Sequence, residues 1–357
     1  MKILIIGLDK RALDLNSSTG QRLKDYASLV EKLEVVVLGA YSKNKALSFF
    51  KAIRRARDIL RMDPGGWVIS TQDPFFIGLA GYILKKLTGV LLHVQVHIDF
   101  YSVYFWRESF QNKIHTILAK FILPRSDGIR VVSQKIKDYL TNELGMPNSK
   151  ITVLPIRTEV GKIIKAVPKI DLHQKYPQFK FIMLVASRLV KQKNIGLAIS
   201  SMSEIVSMHP EAGLLIVGSG PEENNLKFKI KNLKLNNNII FEPWSDDLFS
   251  YYKTCDLFLL PSYYEGWGRT AIEAMAAGCP VIMSDVGLAN ETLIPEYNGV
   301  VVPVNNKDKL KNAILRLVED PALREKLINN AAKTVNELPK KEEYLKEYLR
   351  SWQNCFR

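Results

Sequence analysis

LFLLPSYYEGWGRTAIEAMAAGCP, residues 257–280, reads as a buried strand, a loop and a helix in succession. Leu257 to Leu260 is a short apolar run stopped by Pro261, which suits a parallel strand covered on both faces. Residues 261–269 carry two glycines, Gly266 and Gly268, and three aromatics, including Trp267, so they form a loop able to bring backbone close to a ligand. Thr270 is the expected N-cap, AIEAMAA is good helix sequence, and Gly278 with Pro280 ends the helix. A helix N-terminus then stands at the carboxyl end of a parallel strand, where α/β sheets hold anions and phosphates above all.

Glu265 in the loop and Glu273 in the helix flank that turn. Carboxylates repel phosphate but accept charge-assisted hydrogen bonds from sugar and ribose hydroxyls. A phosphate-holding helix end between two hydroxyl-holding glutamates describes a nucleotide-sugar site. Two glutamates eight apart are common, and a dipole-stabilising Glu273 with a solvated Glu265 is the plain alternative. The strand–loop–helix context favours the functional reading.

EGWGRTAIEAMAAGCPVIMSD, 265–285, resembles the E-x7-E signature of the retaining family-4 glycosyltransferases, its two glutamates falling on Glu265 and Glu273. The resemblance implies a GT-B fold: α/β, with two Rossmann-like domains, a deep interdomain cleft and a C-terminal helix returning to the first domain. It places the acceptor domain at 1–165, joined by 341–357, and the nucleotide-sugar donor domain at 178–340.

The rest of the chain, taken in order, fits that outline. Strand KILIIG leads to a polar loop and the helix GQRLKDYASLVEKL, with no G-x-G-x-x-G, which argues against a dinucleotide dehydrogenase. The resemblance puts Gly20 at the loop tip facing the donor phosphates; a turn or N-cap glycine is the alternative. EVVVLGAY is the next strand. The helix at 43–61 carries seven basic residues against one acid, with Phe49, Ile53, Ala56 and Leu60 forming one stripe and Lys51, Arg54, Arg55 and Arg61 opposite. Such a helix can lie on anionic lipid, or pack its stripe on the sheet with the arginines in solvent. In VLLHVQVHIDFYS, His93, His97 and Asp99 share a strand face. Residues four apart on a strand stand roughly 13 Å apart, too far for shared metal ligation. His97, at the carboxyl end, resembles the family's cleft histidine, which hydrogen-bonds the transferred sugar.

TEVGKIIKAVPKIDLHQKYPQFK has no periodicity and two prolines, and reads as the linker. The second α/β half opens with FIMLVA, followed by Arg188 and Lys193 at the mouth of the strand, suited to neutralising a diphosphate leaving group. They resemble the family's R-x4-K element, and Gly218 and Gly220 in GSGP its nucleotide-proximal glycine turn. Pro243 to Ser245 falls on the base side of the expected pocket. The last helix carries Tyr344, Tyr348 and Trp352 on one face; the resemblance implies that Trp352 packs on the first domain, whereas the residues alone suit a cap on the second domain equally.

Composition narrows the class. Three cysteines in 357 residues show no metal-type spacing, pointing to a reducing compartment. MKILIIGLDKRA has too short an apolar core for a signal peptide, and FFIGLAGYIL is too short for a membrane span. The expectation is a cytoplasmic protein, either soluble or peripheral on the inner face of the plasma membrane. Residues 1–170 hold 27 Lys and Arg against 14 Asp and Glu, nearly all of the chain's net +14. A basic half can meet nucleic acid, an anionic membrane or solvent. Nucleic acid is disfavoured, because the basic stretches lack interleaved stacking aromatics. No D-x-D pair occurs, so no metal or other cofactor is expected. The resemblance implies transfer of a sugar, with retention, from a nucleotide diphosphate sugar to a glycan or lipid-linked acceptor. The alternatives are a sugar-nucleotide epimerase of the same fold and an inactive binding module.

Overall fold

The structure, a computed structural model, describes residues 1–14, 16–41 and 44–356. Lys43, where the expected basic helix begins, lies outside the described residues. The chain divides into two compact units, Met1–Pro155 with Pro339–Arg357, and Ile156–Leu338. The first boundary thus falls before Ile156 and not at 165.

The first unit is built on a parallel sheet of β1 (Lys2–Gly7), β2 (Lys32–Val37), β3 (Trp67–Thr71), β4 (Leu91–Val96), β5 (Gly128–Val131) and β6 (Ile151–Val153), ordered β2-β1-β3-β4-β5-β6. The order reverses between β1 and β3, and loops at such a switch point open a crevice for ligands. The first helix is Ser18–Ala27, shorter than GQRLKDYASLVEKL suggests, because Ser17 caps it and Lys32 and Leu33 pair in β2. Gly20 is therefore not at a loop tip. It sits in the first turn of that helix, its N–H donating to Ser17 Oγ at 2.9 Å.

The terminal helix, Lys341–Gln353, belongs to the first unit, as the family resemblance implies. Tyr344, Tyr348 and Trp352 are buried with Ile3, Ile5, Leu23 and Tyr26, and the Tyr26 and Tyr348 rings stack at 4.2 Å. Each such side chain is worth about 1.5–3 kcal/mol of burial, so this helix holds its sheet firmly.

The second unit repeats the design with β7 (Phe181–Ala186), β8 (Ala212–Val217), β9 (Ile239–Glu242), β10 (Leu257–Leu260), β11 (Val281–Ser284) and β12 (Val300–Val302), ordered β12-β11-β10-β7-β8-β9. Its switch point lies between β10 and β7, both wholly buried. The expected linker is not featureless. It forms two short helices, Val160–Lys165 and Leu172–Lys175, that belong to this unit. Ile163 and Leu172 are buried, and Lys169 N–H donates to Ser250 Oγ at 2.8 Å. One-turn helices are too short to show a period, which is why the sequence hides them.

Candidate active site

The switch point of the second unit gathers most of the residues singled out above. After β7, Arg188 stands exposed between buried Ser187 and Leu189. Main-chain bonds join this loop to the one after β8: Ser187 N–H to Val217 O at 3.0 Å, Leu189 N–H to Ser219 O at 2.9 Å, and Glu222 N–H to Leu189 O at 3.0 Å. The approach is so close that a Cβ on Gly218 would lie 2.0 Å from Ser187 O, and one on Gly220 2.4 Å from Leu189 O. Only glycine fits either position.

The β7 loop is joined equally to the loop after β10. Tyr263 N–H donates to Gln192 O at 2.8 Å, and Gln192 Nε2 donates to Tyr264 O at 3.0 Å. Lys193 thereby reaches Glu265, and the two form a largely buried ion pair, their side chains 14% and 9% exposed. Glu265 also accepts from Ser262 Oγ at 2.8 Å. A lysine and a glutamate thus stand in contact, each compensating the other's burial.

The helix after the loop is Arg269–Ala276, capped by Gly268 at φ 97° and not by Thr270, which lies inside the first turn. The sharp strand-to-helix turn needs a left-handed residue, and glycine takes it without strain. Ala271 N–H already donates to Gly268 O at 2.9 Å, which leaves the N–H groups of Arg269 and Thr270 as those without intrahelical acceptors. Gly287, from the loop after β11, closes the turn from its other side: a Cβ there would lie 2.3 Å from Trp267 O. Gly266 and Trp267 are buried, whereas Trp244 exposes half its surface. Glu273 is buried and pairs with Arg269 Nε at 3.0 Å, with Tyr252 OH 3.4 Å from its other oxygen. Burial pushes its carboxyl upward, against Arg269 and Tyr252, which favour the charge. A cavity of about 510 Å³ shares Lys191, Asn194 and Tyr263 with these loops but is lined by none of Arg188, Lys193, Glu265 or Glu273.

Sequence reading missed Gln192, Ser262, Tyr252, Gly287 and Arg269. Arg269 alone left a signal, its i,i+4 spacing to Glu273. The others act through loop-to-loop contacts that no local pattern announces.

Gly20 and His97 belong to the first unit. His97 follows β4 directly, with Nε2 3.1 Å from Gln95 Oε1. Burial, helped by the Arg130 charge, lowers it to about 3, so the ring is neutral at physiological pH. Asp99 accepts from Ser102 N–H at 3.0 Å, and burial raises it to about 7. Such a group stabilises the fold fully below its unfolded pKa and loses that contribution as pH rises through its folded value. Asp99→Asn, which keeps the acceptor, is therefore expected to melt like wild type near pH 4. Its advantage should open between pH 4 and pH 7, by at most about 1.4 kcal/mol per pH unit, and stay level above; a gap that does not change with pH counts against the burial of this charge.

Residues 169–334 match the glycosyl transferases group 1 family, and residues 17–156 match glycosyltransferase family 4. The chain is 28% identical over 286 residues to the UDP-Gal:alpha-D-GlcNAc-diphosphoundecaprenol alpha-1,3-galactosyltransferase of Escherichia coli, covering 73% of this chain and 71% of that one. It is 28% identical over 369 residues to the capsular polysaccharide biosynthesis glycosyltransferase CapM of Staphylococcus aureus, covering 98% and 92%. Among solved structures, sucrose-phosphate synthase from Thermosynechococcus elongatus superposes with a TM-score of 0.79 at 22% identity, covering 99% of both chains.

Proposed function

We propose, from the premise that this chain belongs to the group 1 and family-4 glycosyltransferases of GT-B fold, that it moves a sugar with retention from a nucleoside-diphosphate sugar to a lipid-linked glycan precursor. The observation that carries the donor half is the Lys193–Glu265 pair beside the Arg269–Ala276 helix end and Glu273. Arg188, Lys193 and the helix N–H groups take the diphosphate, Glu273 the ribose and Glu265 the sugar hydroxyls. Departure of the nucleoside diphosphate places negative charge against two cations and a helix end, which stabilise it without a metal. Titration calorimetry with UDP-, GDP- and ADP-sugars tests this reading. One donor should bind, and Glu273→Ala should weaken it about tenfold or more, the worth of a charge-assisted hydrogen bond. If no nucleotide sugar binds wild type, with or without a lipid acceptor present, the donor reading fails.

The acceptor half rests on the first unit's charge and on its exposed apolar surface. The helix Lys45–Met62 turns Ala52, Ala56, Ile59 and Leu60 inward; of its expected stripe Ala56 and Leu60 are buried, while Phe49 and Ile53 are half-buried. What it offers solvent is Lys51, Arg54, Arg55 and Arg61, with Leu47 and Phe50 at its start. A second surface is stronger. Phe110, Ile114, Ile117 and Phe121 recur along one side of the helix Phe110–Ile122, with Phe110 77% and Ile117 59% exposed, and Val103, Trp106 and Phe76 are exposed too. Lys113 lies over Trp106 and Arg125 over Phe121, and Arg107 and Lys120 are exposed beside them. Apolar rings among cations suit the interface of an anionic bilayer. No helix among the described residues is long and apolar enough to cross a membrane. The E. coli relative's name places its acceptor on diphosphoundecaprenol, and CapM's name places it in capsule synthesis. The protein is expected to pellet with vesicles containing phosphatidylglycerol at low salt, and Phe110→Asp with Ile117→Asp to abolish this. Recovery in the supernatant, or pelleting indifferent to both substitutions, removes the membrane from the proposal.

A further inference from the structure

Gln95, Arg130 and the terminal helix meet in a buried hydrogen-bond network inside the first unit. Arg130 Nη1 donates to Gln95 Oε1 at 2.9 Å, Tyr348 OH donates to the same oxygen at 3.0 Å, and His97 Nε2 lies 3.1 Å from it. Gln95 and Arg130 are each only 3% exposed, so water has little room to substitute for any partner. A guanidinium carries donors and no acceptor. The Gln95 atom facing Arg130 is therefore the amide oxygen and cannot be its NH2. An oxygen facing His97 requires the hydrogen to be on Nε2. Nδ1 is left with its lone pair.

The other end of the amide agrees. Gln95 Nε2 donates to Ser70 Oγ at 3.3 Å, and Trp352 Nε1, also donor-only, donates to that oxygen at 3.2 Å. The Ser70 hydroxyl hydrogen is then free for His93 Nδ1, 3.1 Å away. The orientation of every group in the network follows from two donor-only side chains, Arg130 and Trp352. One of them, with Tyr348, comes from the terminal helix.

We propose that Gln95, held by Arg130 and Tyr348, is a positioning residue that fixes His97 as its Nε2–H tautomer and presents Nδ1 as a hydrogen-bond acceptor, so that His97 receives a sugar hydroxyl and donates no proton. This rests on the reading, implied by the family resemblance, that His97 meets a sugar. The Arg130 charge works in the same direction, since a second positive charge beside it is unfavourable. The terminal helix thus acts on His97 through Tyr348 and Gln95.

The test uses the full chain labelled with 15N-histidine, in wild type, Gln95→Met, Gln95→Glu and His97→Ala. Imidazole nitrogen shifts of wild-type His97 should show the Nε2–H form alone between pH 5 and pH 8. Gln95→Met removes the acceptor and frees the ring, and kcat should fall about tenfold or more while KM for the donor stays within about threefold, because the nucleotide is held by the other unit. Gln95→Glu restores an acceptor and should recover the tautomer and most of the rate. An Nδ1–H wild-type His97 overturns the proposal even if Gln95→Met does not fold, and so does a folded Gln95→Met enzyme with wild-type kcat. If His97→Ala turns over like wild type, the sugar contact itself is wrong, whatever the tautomer.

Discussion

Lys193→Ala is expected to lower kcat by about two to three orders of magnitude, the loss seen when one group stabilising developing negative charge is removed. The reason lies in the arrangement around its ammonium. Lys193 ends the short turn Lys191–Lys193, Asn194 at φ 47° then leads the chain into the helix Ile195–Met208, and the Lys193 side chain is directed to Glu265. A departing diphosphate would compete with Glu265 for the same cation. Binding of the nucleoside diphosphate alone separates the two roles of Lys193. Glu265→Gln releases the ammonium from its carboxylate, so affinity for the diphosphate should hold or rise. Lys193→Ala should cut it about tenfold or more, and the double variant should behave like Lys193→Ala, a non-additivity expected of groups in contact. If Lys193 only neutralised Glu265, the double variant would bind like wild type, and the leaving-group role would be lost.

The site was legible wherever the chemistry is local in sequence. A four-residue apolar run, a proline, two glycines and a helix pattern placed β10 and the helix after it nearly residue for residue. The cap was misread because Thr270 and Gly268 are both good cap residues, and only the turn's left-handed backbone chooses between them. Arg188 and Lys193 were legible as charges at a strand mouth. That Lys193 pairs with Glu265, 72 residues away, was not, because it depends on β7 and β10 becoming neighbours. The terminal helix showed its aromatic face but not its hydrogen bonds. Tyr348 and Gln95 are 253 residues apart, and nothing at either position names the other. The basic helix at 43–61 left two readings open: an apolar stripe opposite arginines reads alike for a membrane face and for a helix packed on a sheet, and the structure buries Ala56 and Leu60 of that stripe while Phe49 and Ile53 stay half-buried.

Arg130→Met is expected to destabilise the first unit by about 3–5 kcal/mol, the cost of leaving several buried neutral acceptors without a donor at about 1–3 kcal/mol each, less than additively. Arg130 Nε donates to Leu154 O at 3.1 Å, and Nη2 donates to Pro155 O and to Tyr344 OH, both at 3.0 Å, with the guanidinium 4.9 Å from the Tyr348 ring centre. Its acceptors are two main-chain carbonyls, an amide oxygen and a phenol. Methionine fills the volume and donates to none of them, so four acceptors lose a partner in a place where water cannot readily replace it. Two of the groups that lose contact, Tyr344 and Tyr348, belong to the terminal helix, and that helix should loosen first. Calorimetry should show the first unit's transition falling by roughly 10 °C, at about 2–4 °C per kcal/mol for a unit of this size, and amide exchange should rise earliest across 341–353. Nucleotide binding, which the proposed function assigns to the other unit, should persist below that transition. Arg130→Lys keeps a donor-only cation with fewer hydrogen bonds and should fall between the two. A melting curve for Arg130→Met that matches wild type would mean that apolar packing alone holds the helix, and Tyr344 and Tyr348 would then owe nothing to their hydroxyl groups.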